Sequence, residues 1–177
     1  MIVLCLVNTY NKLILHEIHL RTIARAAPLC YAYDLHLALM DFSFWKDKEE
    51  VVRAIREYTT IGERGEYLER LHESGKFHLI EKIPAHFGEV IVTTSKPDER
   101  KRVKPSDLFE FAERKSLTFL IGLGRKGLPK EFFESYKYHF DITGKGVSLE
   151  TCSAIGAIAF FASELQKRRN EKRGSNV

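Results

Sequence analysis

The sequence predicts an α/β fold built on a mainly parallel sheet with helices on both faces. Three observations predict it. Strand-like runs alternate with helix-like stretches along most of the chain, the order that parallel sheets require. The opening run, Ile2 to Val7, is continuously apolar, as in a strand buried on both faces. A chain of 177 residues that is 44% hydrophobic and 29% charged has the composition of one globular domain, not of a disordered or fibrous chain.

The elements follow in order. After the first strand, Asn8 to Asn11 reads as a turn, and a helix runs from about Lys12 to Ala27 with Leu15, Ile18, Ile23 and Ala26 on one face. Pro28 should end it. Leu35 to Phe42 is a second strand, and residues 46–82 form a charged helical insertion divided by Gly62 and Gly65. Glu89 to Thr94 is a β-branched strand, and Pro97 to Pro105 a charged loop. A short helix capped by Ser106 or Asp107 runs to Arg114. Leu117 to Ile121 and Tyr138 to Ile142 are the last strands, with a short helix, Pro129 to Tyr136, between them. Ser148 caps a long final helix whose buried stripe is Cys152, Ile155, Ile158 or Ala159, Ala162 and Leu165. Residues 1–166 thus make a single α/β domain, and 167–177 a basic flexible tail.

Charge and cysteine content narrow the function classes. The net charge is +4, and the tail alone carries it through Lys167, Arg168, Arg169, Lys172 and Arg173 against Glu171. The body is therefore neutral and has no global affinity for polyanions. A local basic cluster remains at Arg100, Lys101, Arg102 and Lys104. Three cysteines without a CxxC spacing argue against a disulfide framework and for a reducing cytoplasm. No uncharged apolar run reaches the ~18 residues of a membrane span, and no positive region precedes the apolar start as a signal peptide requires.

Six of the eleven glycines fall between 122 and 156, so two Gly-rich loops follow two consecutive strands. Ligands of open α/β sheets bind beyond the carboxyl ends of strands, where glycine lets the backbone approach a ligand. The first loop also spells Gly122-Leu-Gly-Arg-Lys-Gly127, a formal GxGxxG, with Asp141 at the offset of a ribose-binding acid. That supports an alternative, an NAD(P)-binding oxidoreductase. Against it, only one further strand can follow the motif, and the helix beginning at Pro129 is short for the usual crossover.

The combined pattern resembles another family. Thr118-Phe-Leu-Ile-Gly-Leu-Gly-Arg-Lys-Gly-Leu-Pro129 and Asp141-Ile-Thr-Gly-Lys-Gly-Val-Ser-Leu-Glu-Thr-Cys-Ser-Ala154 are similar to the last two motifs of the SPOUT methyltransferases. His19 to Ala27, containing Ile-Ala-Arg25, resembles the family's first motif, and Thr93-Thr-Ser95 its cofactor-side loop. The resemblance implies a C-terminal trefoil knot over about 117–166, S-adenosyl-L-methionine as cofactor, RNA (tRNA or rRNA) as substrate, and a homodimer. The implied cofactor residues are Thr94, Ile121, Gly122, Gly124, Gly127, Ile142, Gly144, Gly146, Val147, Leu149 and Cys152. The candidate catalytic residues, read from their chemistry, are Arg25, to stabilise developing oxyanion charge, Glu150 as base if one is needed, and Ser148. Phosphate contacts are expected from Arg100, Lys101, Arg102, Lys104, Arg125 and Lys126, and from the tail. Two positions depart from the family pattern: Gly124 stands where its 2′-O-methylating branch has Glu, and Glu150 where it has Asn. These departures support a second alternative, a knotted module that binds RNA or protein without catalysis. Other residues read as structural. His16 and His19 share a helix face but have no third ligand nearby, so no metal site is expected, and Phe42, Phe44 and Trp45 read as core.

Overall fold

The computed structural model describes residues 1–63, 65–124 and 127–174. Six strands form one sheet: β1 (Ile2–Val7), β2 (His36–Met40), β3 (Phe77–Ile80), β4 (Glu89–Thr93), β5 (Leu117–Gly122) and β6 (Tyr138–Phe140). Their order is β3-β2-β1-β5-β4-β6, and every pairing is parallel. The helices are α1 (Glu17–Ala32), α2 (Lys48–Tyr58), α3 (Glu66–Glu73), α4 (Pro105–Arg114), α5 (Lys130–Ser135) and α6 (Thr151–Gly174).

The alternation in β1 explains why its whole run is apolar. Ile2, Leu4 and Leu6 face one core with Ile23 of α1, Val51 of α2, Leu68 of α3, Leu108 of α4 and Ile155 of α6. Val3, Cys5 and Val7 face a second core with Phe132 of α5 and Phe87 of a single 3₁₀ turn. Helices do cover both faces, but very unequally. No helix among the described residues is long and apolar enough to cross a membrane.

Five sequence expectations are corrected. The first helix starts five residues late, because His19 accepts the His16 N–H through Nδ1 at 3.0 Å and fixes the entry there. It then runs through Pro28. Proline removes one ladder bond, and burial of Ile23, Ala26, Ala27 and Cys30 offsets that loss. The segment 46–82 is not wholly helical: Phe77 to Ile80 is β3, paired with β2 at the sheet edge. Its helices also bury Val52, Ile55 and Leu71 in the main core. In α4 the cap is Lys104, whose backbone N–H donates to the Asp107 carboxylate at 2.8 Å, with Pro105 in the first helical position. Finally, the expected basic tail is helical through Gly174. Lys167 pairs with Glu164 at 2.6 Å, Arg168 and Lys172 with Glu113, and Arg168 lies over the Phe109 ring at 5.1 Å. Arg169 is buried, with Nη1 donating to the Met1 carbonyl. These contacts extend α6 beyond Leu165.

Candidate functional site

The strand order brings the loops after β4, β5 and β6 to adjacent carboxyl ends, and a cleft of about 610 Å³ opens between them. Small-molecule sites commonly occupy about 300–1,000 Å³. Of the residues named from sequence, Thr94, Ile121, Gly122, Gly124, Gly127, Ile142, Val147, Ser148 and Leu149 line it together. Ser95, named with the cofactor-side loop, and Asp141, named as a ribose-binding acid, line it too, whereas sequence reasoning missed Lys96, Leu128, Lys130, Phe133, Thr151, Ala154 and Ile158. Most of these sit at the ends of the same strands and helices, so position could have found them. Arg25, Gly144, Gly146, Glu150 and Cys152 are not in the wall. Arg125 and Lys126 lie outside the described residues.

The loop after β5 folds back on itself. A Cβ on Gly122 would stand 2.7 Å from the Gly127 carbonyl carbon. One on Gly124 would stand 2.6 Å from Thr9 Oγ1, the atom that accepts the Gly124 N–H at 2.7 Å. The first two glycines therefore serve close packing inside the protein.

The loop after β6 is built around Asp141, whose side chain is only 2% exposed. Its Oδ1 accepts from the Thr143 N–H at 2.9 Å and the Thr143 hydroxyl at 2.7 Å, and its Oδ2 from the Gly146 N–H at 2.7 Å. Arg102 Nη2 lies 3.8 Å away. Burial alone would push this carboxyl up, but the bonds from Thr143 and Gly146 prevail and hold it below its ordinary value. Gly146 meets the required geometry with φ +71°. Ser148 hydrogen-bonds Ser95 at 2.9 Å and so ties this loop to the one after β4. Ser148 therefore does not cap α6. Glu150 does, its Oε2 accepting from Cys152 N–H at 2.8 Å and Ser153 N–H at 3.3 Å.

Arg25 is exposed and donates to Cys152 Sγ at 3.5 Å, which places it against the first turn of α6 and beside the cleft. Cys152 is half-buried, not part of the buried stripe. Among the described lining residues, Asp141 is the only carboxylate. His19 is fully buried and held neutral, its pKa pushed down to about 4 by burial and by nearby His16. Its Nε2 bonds Asn8 Oδ1 at 3.1 Å, and Phe44 stacks on its ring. Phe42 and Trp45 are buried.

The expected phosphate cluster divides. Lys101 Nζ donates to the carbonyls of Phe133, Glu134 and Tyr136 at 2.5, 3.1 and 3.0 Å. An ammonium has three donors, so Lys101 has none left for phosphate. Arg102 is held by Glu99 at 3.0 Å and faces Asp141. Arg100, with a side chain 90% exposed and Asp98 at 3.5 Å, and exposed Lys104 remain accessible.

The dinucleotide alternative loses both its supports. The space at Gly122 is filled by the loop itself, and the Asp141 carboxylate already takes three hydrogen bonds from its own loop.

Solved structures with a similar fold include methylases. TrmJ from Z. mobilis superposes with a TM-score of 0.61 at 15% identity, over 93% of this chain and 69% of that chain. The SpoU methyltransferase AviRb from Streptomyces viridochromogenes, determined in complex with AdoMet, superposes with a TM-score of 0.52 at 14% identity, over 94% of this chain and 57% of that one. The fold of this chain is thus similar to that of these methylases. The chain itself belongs to the family described as "Protein of unknown function (DUF531)", which it matches over residues 2–162. An uncharacterized protein of Methanocaldococcus jannaschii, MJ0224, is 50% identical over 155 residues, 88% of this chain and 89% of that protein.

Proposed function

We propose that the protein is an S-adenosyl-L-methionine-dependent methyltransferase of the SPOUT type that acts on RNA in the cytoplasm as a homodimer with a C-terminal knot. The observation that carries this reading is the single cleft formed by the loops after β4, β5 and β6. Its wall combines apolar side chains (Ile121, Leu128, Ile142, Leu149) with backbone from glycine loops, which suits a nucleoside with a short charged tail. The same residues would hold the cofactor. When bound, that group supplies an electrophilic methyl on a sulfonium, and transfer needs chiefly in-line positioning.

The chain's own residues then divide the work. The Ser95–Ser148 bond and the Asp141 cage hold two walls of the cleft in register. Arg25, held against Cys152 beside the lining residue Thr151, stabilises negative charge developing on the acceptor oxygen. Phosphate of the substrate is met by Arg100 and Lys104.

One observation favours a second reading, a knotted binding module without catalysis. The lining carboxylate Asp141 takes three hydrogen bonds from its own loop and is held below its ordinary pKa, and Glu150 caps α6, so both are committed to structure. Incubation with methyl-labelled cofactor and total tRNA or rRNA separates the two. Label transferred to RNA, and lost in Arg25→Ala, supports the enzyme. Cofactor and RNA binding without label transfer supports the module. Light scattering should give about twice the 20.5 kDa chain mass.

A further inference from the structure

The strand order makes a second place for a ligand beside the cleft. β1 and β5 are neighbours in the sheet, yet the chain leaves them on opposite sides. β1 leads to α1, whose Ile23 lies in the first core, and β5 to α5, whose Phe132 lies in the second. Loops that diverge in this way open a crevice at the carboxyl ends of their strands, the usual ligand position in an open α/β sheet. The cleft extends from β5 toward β4 and β6, and none of its described lining residues comes from the loop after β1, residues 8–16. That loop abuts the cleft wall at Gly124. Thr9 Oγ1 accepts the Gly124 N–H, and Tyr10 Cε2 stands 3.8 Å from the point where a Gly124 Cβ would fall.

We propose that Tyr10 is a specificity-determining residue, whose ring stacks an unpaired nucleobase of the substrate RNA at this crevice, next to the cofactor. This rests on the reading of the protein as an RNA methyltransferase. Three features support it. The Tyr10 residue is 39% exposed, and its aromatic neighbours, His16 at 5.8 Å and His19 at 5.6 Å, are inclined to its ring by 48° and 78°. Neither is stacked on it, so neither takes the place of a base. The loop is also fixed in advance: Asn8 Oδ1 accepts the Tyr10 N–H at 2.9 Å, Asn8 Nδ2 donates to the Asp41 carbonyl at 3.1 Å, and Lys12 pairs with the Asp41 carboxylate at 3.0 Å. A ring held in place loses little freedom on stacking. Finally, Leu13, Ile14 and Leu15 are all exposed, and three such residues in a row extend the contact surface beyond the ring. A base inside a duplex has no free face for Tyr10, so the site selects loops, bulges and ends.

The test uses the full chain and a short single-stranded RNA in which every adenine is 2-aminopurine, alone or annealed to its complement. Tyr10→Ala should weaken single-strand binding about fivefold or more, the effect of losing one base–aromatic stack. It should also abolish the fluorescence quenching that the unaltered protein causes, whereas Tyr10→Phe should keep both. Duplex affinity should be equal in all three proteins. Amide exchange in β1 and β5, and affinity for S-adenosylhomocysteine, should not change in Tyr10→Ala, which separates a lost stack from a damaged fold or cleft. Unchanged single-strand affinity and quenching in Tyr10→Ala overturn the inference and leave the RNA reading standing. A changed oligomeric mass in that variant, with RNA affinity unchanged, assigns the loop to a protein contact and overturns it likewise. An unaltered protein that binds neither single-stranded RNA nor total tRNA overturns the RNA reading and the inference together.

Discussion

Ser95 and Ser148, 53 residues apart in sequence, place their hydroxyls 2.9 Å apart and join the loop after β4 to the loop after β6. With Arg102 and Asp141 they make the two side-chain ties that close one flank of the cleft. Replacing both serines by Ala should weaken cofactor binding through lost preorganisation while changing overall stability by less than about 1 kcal/mol, since an exposed neutral hydrogen bond contributes little net. Calorimetry paired with urea unfolding checks this. An equal loss in both would mean that the pair is only a fold contact.

Glu150 should behave as a helix cap. Glu150→Ala removes the acceptor for Cys152 and Ser153 N–H and should cost about 0.5–2 kcal/mol, the usual range for losing an N-cap. Glu150→Asp or Glu150→Asn should recover part of it. Urea midpoints decide, and wild-type stability in Glu150→Ala would contradict the assignment.

Lys101 and Arg100, neighbours in sequence, should separate cleanly. Lys101→Ala strips a cation from three carbonyls at the end of α5 and should lose about 1–3 kcal/mol, as for hydrogen bonds to a charged group. Arg100→Ala should leave stability unchanged but lower the salt dependence of single-stranded RNA binding by about 0.7 in log–log slope, if it meets one phosphate. The reverse pattern would show that the exposed and committed cations have been interchanged.

Much of the fold was legible in the sequence because burial on both faces leaves an unbroken apolar run, as in β1 and most of β5. The glycine loops located the cleft for a related reason: they follow strands. β3 escaped because four residues, Phe77 to Ile80, carry too short a pattern inside a charged stretch. Pro28 misled because local propensity yields to buried packing, and the 167–174 charges because their partners, Glu113 and the Phe109 ring, lie on α4, far away in sequence. The Asp141 cage was missed for a different reason. Its donors are backbone groups, and residue types do not announce which way a peptide faces.

Gly124 is set by Thr9. Gly124→Ala should destabilise the protein, because its Cβ would fall 2.6 Å from Thr9 Oγ1. Adding Thr9→Ala should recover part of the loss, a coupling that a double-mutant cycle reads directly. Gly124→Glu, which restores the residue of the 2′-O-methylating pattern, should be tolerated only with Thr9 shortened as well. Strict additivity would show that the contact is not the constraint.

Acid should weaken the fold above pH 4. His19 and His36 are each held near pKa 4 in the folded chain, chiefly by burial, against about 6.5 when unfolded. The unfolded chain thus binds more protons between those values, and stability must fall as pH drops from about 6.5 toward 4. Urea unfolding at pH 7 and pH 5 should show this loss. It should shrink in His19→Gln even though that variant starts less stable. An unchanged pH slope would mean that burial does not hold His19 neutral in the folded chain.

The central claim is that the cleft at the ends of β4, β5 and β6 holds S-adenosylmethionine. Isothermal titration of the full chain with S-adenosylhomocysteine tests it most directly. The prediction is one site per chain, competed by adenosine and abolished by Leu149→Arg, which places a charge in the apolar wall. No heat above dilution at millimolar ligand, or heat unchanged in Leu149→Arg, would contradict it.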